Sequence, residues 1–204
     1  MDAITTLEQL DALFGAVAAP SRLKEVPFIP AQYRALIAAS PFAMLATSGP
    51  DGLDASPRGD TPGFVAVEDE QTLLLPERRG NNRADSLRNI IADPRVALLF
   101  LIPGVGETLR VNGKARILVT PGLLQRFAVD GHEPKCVIEI KVDAAYFQCA
   151  RAVLRSKLWD PAAAVRPQGA LPSAGAMLAA LTRGEIDGKA YDEALPARQR
   201  STLY

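Results

Sequence analysis

Three arginines, Arg78, Arg79 and Arg83, gather around a glycine and two asparagines in the segment ERRGNNRADSLRNI, Glu77 to Ile90. The apolar run LLLP ends just before it, at Pro76. An extended segment therefore feeds a turn, and the turn opens a helix. Asn82 or Asn81 is expected to cap that helix near Arg83, and Asp85 in its first turn suits the positive end of the helix dipole. Leu87, Ile90 and Ile91 give it one apolar side, and Asp93-Pro94 stops it. Unpaired N–H groups at a helix start favour anions, and guanidinium groups bind phosphate in bidentate fashion. The cluster has two readings, a phosphate cradle or a solvated basic turn.

A second group lies in DASPRGDTPGF, Asp54 to Phe64. In an extended chain Asp54, Ser56 and Arg58 share one face, while Leu53 and Ala55 share the other. Ser56 and Arg58 then present a hydroxyl and a guanidinium side by side, and Gly59 and Gly63 let backbone approach a planar ligand. The competing reading is a proline-broken strand with an ion pair between Arg58 and Asp60. Other residues carry less chemistry. GVGETLR at Gly104 sits between two strands and reads as a hairpin loop. His132 is the single histidine, has no metal-spaced companions and reads as a loop residue, so no metal is expected. Ser48 and Ser86 lack a nearby base, and Trp159 is expected to pack. No catalytic acid, base or nucleophile is assigned.

These groups need a scaffold, and 204 residues suffice for one domain with a sizeable core. Lys plus Arg and Asp plus Glu both total 23, so no global field favours nucleic acid or an anionic membrane. Cys136 and Cys149 are too far apart for a redox pair and read as thiols of a reducing cytoplasm. The acidic start MDAITTLEQLDALFGAV lacks a basic n-region and is not expected to be a secretory signal. Its Leu7, Leu10, Leu13, Phe14 and Val17 fall at helical spacing, predicting an amphipathic helix packed on the body. VALLFLI, Val96 to Ile102, is too short to span a bilayer. A soluble, cytoplasmic protein is expected.

The pattern predicts helices over residues 1–40, including Ala31 to Ala39, then short strands. FAMLAT and LDASPR pair around SGPDG, and FVAVE and QTLLLP follow. RVALLFLI is continuous and reads as a strand buried on both faces. TLRVNGKARILV alternates apolar Leu109, Val111, Ala115 and Ile117 against basic Arg110, Lys114 and Arg116. PGLLQRFA is a short helix, KCVIEIKVD another strand, and RAVLRSKLW, Arg151 to Trp159, a basic helix. Six or seven strands with few interruptions argue for an antiparallel barrel over residues 41–160. Residues 161–204 read as a helical arm, laid on a partner subunit or partly mobile.

The order ASPRGD, LLLPERRGNNRADSLRNI, DPRVALLFLIPG, TLRVNGKARI and YFQCARAVLRSKLWDP resembles the pyridoxamine 5'-phosphate oxidase-like FMN-binding split barrels, from about Phe28 to Tyr204. The resemblance implies a mainly β fold with peripheral helices, a six-stranded antiparallel Greek-key split β-barrel, and a homodimer with FMN between the subunits. Gly80, Asn81, Asn82 and Arg83 match the family's phosphate turn, and Ser56, Pro57, Arg58 and Gly59 its flavin-edge strand. Leu75 and Pro76 match ring-lining positions, and Arg110 is a further cofactor-binding candidate. Arg58, Arg110 and Lys114 are the residues for electrostatic roles, and Cys149 with the basic helix would border the substrate space. The implied function is an FMN-dependent oxidoreductase acting on a small molecule, with a flavin or haem carrier as the alternative. This chain has Asn-Asn-Arg where the family has Ser-Arg-Lys, and Arg58 or Arg79 is the candidate for the missing charge. It also lacks the Arg-x-His pair that holds pyridoxal phosphate, so vitamin B6 oxidation is not implied.

Overall fold

The computed structural model describes residues 3–164 and 171–204. Helices α1 (Leu7–Phe14), α2 (Ala19–Leu23) and α3 (Ala31–Ala39) precede strands β1 (Phe42–Gly49), β2 (Gly52–Gly59), β3 (Ala66–Asp69) and β4 (Thr72–Pro76). Helix α4 (Asp85–Ala92) leads to β5 (Arg95–Leu101), β6 (Thr108–Leu118), helix α5 (Pro121–Arg126) and β7 (Val137–Gln148). Helices α6 (Arg151–Ser156), α7 (Pro161–Ala164), α8 (Ala174–Leu181) and α9 (Gly188–Ser201) complete the order.

Among the described residues, seven strands join one sheet in the order β2-β1-β5-β6-β7-β4-β3, and each of these pairings is antiparallel. The expected six-stranded barrel is therefore corrected to seven strands, and no ladder between β2 and β3 closes them. β3 is four residues long, pairs with β4 at one end of the sheet and overlaps the run FVAVE that the sequence marks as a strand. The β1–β2 hairpin reverses over Pro50 and Asp51, with Gly49 opposite Gly52. β6 and β7 form the longest ladder, broken by a bulge between Asn112 and Gly113. A Cβ on Gly113 would lie 2.2 Å from the Lys141 carbonyl oxygen, so the bulge requires glycine.

Inward residues of β1, β4, β5, β6 and β7 form one core with Tyr33 and Ile37 of α3 and Ile90 of α4. β5 alternates instead of being buried on both faces. Val96, Leu98 and Phe100 are buried in the core, whereas Ala97, Leu99 and Leu101 on the other face are partly exposed. The expected packing of the first helix is also corrected. α1 exists but buries no residue, and Leu7, Leu13, Phe14 and Val17 are exposed. The basic helix stops at Ser156, where Lys157 turns left-handed at φ 52°. Among the described residues, no helix is long and apolar enough to cross a membrane.

Candidate functional site

β2 is an edge strand whose exposure alternates as the sequence implies, with Asp54, Ser56 and Arg58 partly buried and Leu53, Ala55 and Pro57 exposed. The hydroxyl and guanidinium do meet, since Arg58 Nη1 donates to Ser56 Oγ at 2.6 Å. The expected Arg58–Asp60 pair is replaced by two others. Arg58 Nε lies 3.3 Å from Glu77 Oε2, and Arg78 Nε donates to Asp60 Oδ2 at 2.7 Å. Arg58 is on β2, whereas Glu77 and Arg78 immediately follow β4. The sheet therefore curls until side chains bridge edges that no backbone ladder joins.

Arg58 Nε and Glu77 Oε2 are buried, and among the described residues neither makes a hydrogen bond. Burial pushes the Glu77 carboxyl above its ordinary range, against the pull of Arg58. Cys136, whose carbonyl accepts the Glu77 N–H, has a thiol raised first by burial and then by the Glu77 charge, so it is an inert core sulfur. Asp60 behaves differently. Burial pushes it up, but the Thr61 N–H, the Tyr204 phenol and Arg78 together hold it below the usual carboxylate value. Tyr204 donates to Asp60 Oδ1 at 2.8 Å, and its ring lies 5.6 Å from the Arg78 guanidinium. That hydrogen bond holds the Tyr204 phenol above its ordinary pKa.

The turn after Pro76 departs from the expected cap. α4 begins at Asp85 behind Ala84, which is left-handed at φ 56° and ψ 30°, and no side chain caps the helix. Asn82 is left-handed too, at φ 61°. Asn81 Oδ1 instead accepts the Arg83 N–H at 3.1 Å, and Asn82 Oδ1 accepts from Lys135 Nζ at 2.8 Å. A left-handed alanine costs about 1 kcal/mol or more, and such strain gathers at binding turns. α4 itself is firmly seated. Ser86 Oγ donates to Asp54 Oδ2 at 2.7 Å, and Asn89 Nδ2 to Thr47 Oγ1 at 3.0 Å.

Two cavities meet at Arg78 and Arg79. The smaller, about 190 Å³, lies among Pro57, Arg58, Phe64, Pro76, Glu77 and Gly80. The larger, about 650 Å³, is lined by Asn82, His132, Glu133, Lys135 and Tyr204. His132 is held there by a tight turn in which Val129 and His132 exchange both backbone hydrogen bonds and Asp130 and Gly131 are left-handed. Of the arginines, Arg78 is taken up by Asp60 and the Phe127 carbonyl, and Arg83 by Asp85 at 2.8 Å. Arg79 has no ion pair among the described residues.

Of the residues the sequence singles out, Pro57 to Gly59, Pro76 and Gly80 line the smaller cavity, with Ser56 bonded to Arg58 beside them, and Asn82 lines the larger one, whereas Arg83 faces a separate cavity of about 300 Å³ with Asp51, Asp54 and Asp85. Leu75 lines none of these, being fully buried in the core, where its side chain only seats β4. Arg110 stands elsewhere, in a separate cavity of about 480 Å³ with Arg95, Asn112 and Asp143, donating to the Tyr146 phenol at 2.8 Å. Lys114 is exposed on the same strand. Trp159 packs as expected, its Nε1 donating to the Val105 carbonyl at 2.7 Å. Sequence reasoning missed Glu77, Lys135 and Tyr204, gave Asp60 the wrong arginine, and read His132 correctly as a loop residue but not as part of the site. The Arg-Gly-Asp order put Asp60 in view, whereas no local signal points to Tyr204, 144 positions away.

A family model described as pyridoxamine 5'-phosphate oxidase matches residues 29–149, more than half of the chain. Similar solved structures include HupZ of Group A Streptococcus, at 19% identity, with 59% of this chain and 94% of that one covered and a TM-score of 0.49. A candidate pyridoxamine 5'-phosphate oxidase from Lactobacillus delbrueckii gives 18%, 59%, 95% and 0.47. General Stress Protein 26 of Bacillus anthracis gives 18%, 55%, 88% and 0.39. No curated protein matches the chain.

Proposed function

The chain belongs to the pyridoxamine 5'-phosphate oxidase family, and from that premise we propose that it is an FMN-dependent oxidoreductase acting on a small molecule. The curled seven-strand sheet would be completed as a split barrel in a homodimer, with FMN at the gap bridged by Arg58–Glu77 and Asp60–Arg78. The observation that carries this reading is the uncapped start of α4, reached through left-handed Asn82 and Ala84, with Asn82 lining one cavity beside Arg79 and Lys135 and Arg83 lining another with Asp51, Asp54, Asp85 and Arg88.

The residues present fit a flavin phosphate. The first-turn N–H groups of α4 have no side-chain acceptor, and Arg79 has no competing carboxylate among the described residues. They also fit a planar ring, because Pro57, Phe64 and Pro76 supply apolar walls beside the buried polar atoms of Arg58 and Glu77. Gly80 permits close backbone approach, since a Cβ there would meet nothing. When bound, FMN supplies a centre that accepts a hydride or electrons. Arg58, fixed by Ser56 and Glu77, would hold positive charge beside it, and Arg79 and Arg83 would anchor the phosphate. Ser56 would orient Arg58 without reacting.

The test is the colour of the purified protein and the mass of what it releases on denaturation. Yellow protein releasing FMN is expected, and a colourless protein that cannot be reconstituted with FMN refutes the reading. Anaerobic mixing with nicotinamide and deazaflavin donors then separates the roles: reduction of the flavin supports an oxidoreductase, and flavin that stays oxidised with every donor makes the protein a carrier.

A further inference from the structure

The chain exposes 13591 Å² of surface, whereas a compact monomer of 21.8 kDa exposes roughly 9,300 Å². The excess of about 4,300 Å² is several times the ~800 Å² that each partner contributes to a standard stable interface. Part of it lies on α1. Its Leu7, Leu10 and Phe14 form one helical stripe, and exposed Val17 follows beyond the Gly15 cap, yet the helix buries no residue and, among the described residues, makes no tertiary hydrogen bond. The adjoining face carries Glu8 and Asp11, and residues 3–18 contain no basic side chain.

A surface of matching character lies elsewhere on the chain. Val153 anchors α6 to the body, leaving Leu154 and Leu158 exposed between Arg151, Arg155 and Lys157. α6 starts against the Val105–Glu107 loop, where a Cβ on Gly106 would meet Ala150 Cβ at 2.7 Å. Val105 in turn walls an apolar groove of about 490 Å³ with Leu23, Val26, Tyr33 and Phe147. Lys24 stands above the Phe147 ring at 4.8 Å, so the groove and α6 form one apolar surface with a basic rim. Cys149 sits at this rim, its thiol lowered by the Arg151 backbone N–H and, to a lesser degree, by the Arg151 and Lys24 charges.

We propose that α1 of one copy of the chain docks on the α6 surface of a second copy, its apolar stripe on Leu154 and the neighbouring groove and its acids against Arg151 and Arg155. An isologous pair repeats the contact, so two arms close the dimer and each covers the apolar surface the other chain leaves open. This rests on the dimeric part of the functional reading and not on the flavin.

Two experiments on the full chain test it. The first compares dimer dissociation constants by analytical ultracentrifugation for Glu8→Arg/Asp11→Arg, for Arg151→Glu/Arg155→Glu, and for all four changes together. Each double variant should weaken the dimer by about tenfold or more, and the fourfold variant should recover most of the loss. A wild-type monomer, unchanged constants, or losses that add without recovery overturn the contact. The second places Phe14→Cys beside the native Cys149 and oxidises the protein. A disulfide-linked dimer on a non-reducing gel is expected; an intrachain disulfide, or none, overturns docking on a second copy. FMN titration of the same proteins keeps the two readings apart, because a dimer with the expected arm behaviour and no flavin sinks the flavin reading alone.

Discussion

Ser86→Ala isolates the contact that seats the helix behind the proposed phosphate turn. Ser86 is 3% exposed and its hydroxyl donates to Asp54 Oδ2 at 2.7 Å, joining the first turn of α4 to the edge strand β2. A hydrogen bond to a charged group contributes about 1.5–3 kcal/mol. Asp54 is only half buried, so water replaces part of what the serine supplied, and the expected loss is about 1–2 kcal/mol. For a chain of this size that lowers Tm by roughly 2–8 °C. Urea denaturation of the single variants, Asp54→Ala and the double variant gives the coupling energy, expected at about 1–2 kcal/mol. A coupling within about 0.3 kcal/mol of zero would show that the contact does not hold α4, and the account of the uncapped turn would lose its support. Ser86→Ala should also weaken FMN binding, because the N–H groups of the first turn move with the helix. Arg79→Ala is the control, weakening FMN with no change in Tm, since its side chain makes no ion pair among the described residues.

Arg83→Ala should cost less FMN affinity than Arg79→Ala in fluorescence titrations, because Asp85 already competes for its guanidinium; equal losses would show that the pair opens on binding. The pH dependence of the Tyr204–Asp60 contact follows from Asp60, whose folded pKa is depressed. The stability it contributes is present above its unfolded value of about 4 and is lost as pH falls through the lower folded value. Tm curves of the protein and of Asp60→Asn should therefore be fully separated above about pH 4 and converge as pH falls through the lower folded value, and parallel curves would remove Asp60 from this contact. Gly113→Ala should destabilise the fold by about 1–3 kcal/mol or more through the clash at the bulge, and a wild-type denaturation midpoint would show that the bulge relaxes.

The strands were legible because alternation and turn residues both mark them. The pattern allowed seven strands where the resemblance implied six, and the sheet has seven among the described residues. The α4 cap was not legible. Propensity favours asparagine at such a position, but the chain reaches α4 through a left-handed Ala84, the conformation alanine tolerates poorly and local sequence does not announce. Asp54, Ser56 and Arg58 were placed on one face correctly because period-2 geometry is local. The partner of Arg58 was not, because Asp60 is near in sequence whereas Glu77 is brought near only by the curl of the whole sheet.

That curl also explains why the candidate site lies where it does. β2 is the edge strand at one end of the sheet, and β4 lies next to the edge strand β3 at the other. A backbone ladder between the ends would have consumed their polar groups and closed the wall against any ligand. The ion pairs Arg58–Glu77 and Asp60–Arg78 hold the ends together while leaving cavities on either side of the arginines. Side-chain bridges can be rearranged one contact at a time, whereas a ladder cannot. The raised Glu77 carboxyl shows how far the bridge is from an optimal pair, with burial outweighing the attraction of Arg58. An anionic or hydrogen-bonding ligand entering beside Arg58 would meet polar atoms already desolvated and unpaired. The cost of desolvating them is therefore met in folding, which is the preorganisation a cofactor site requires.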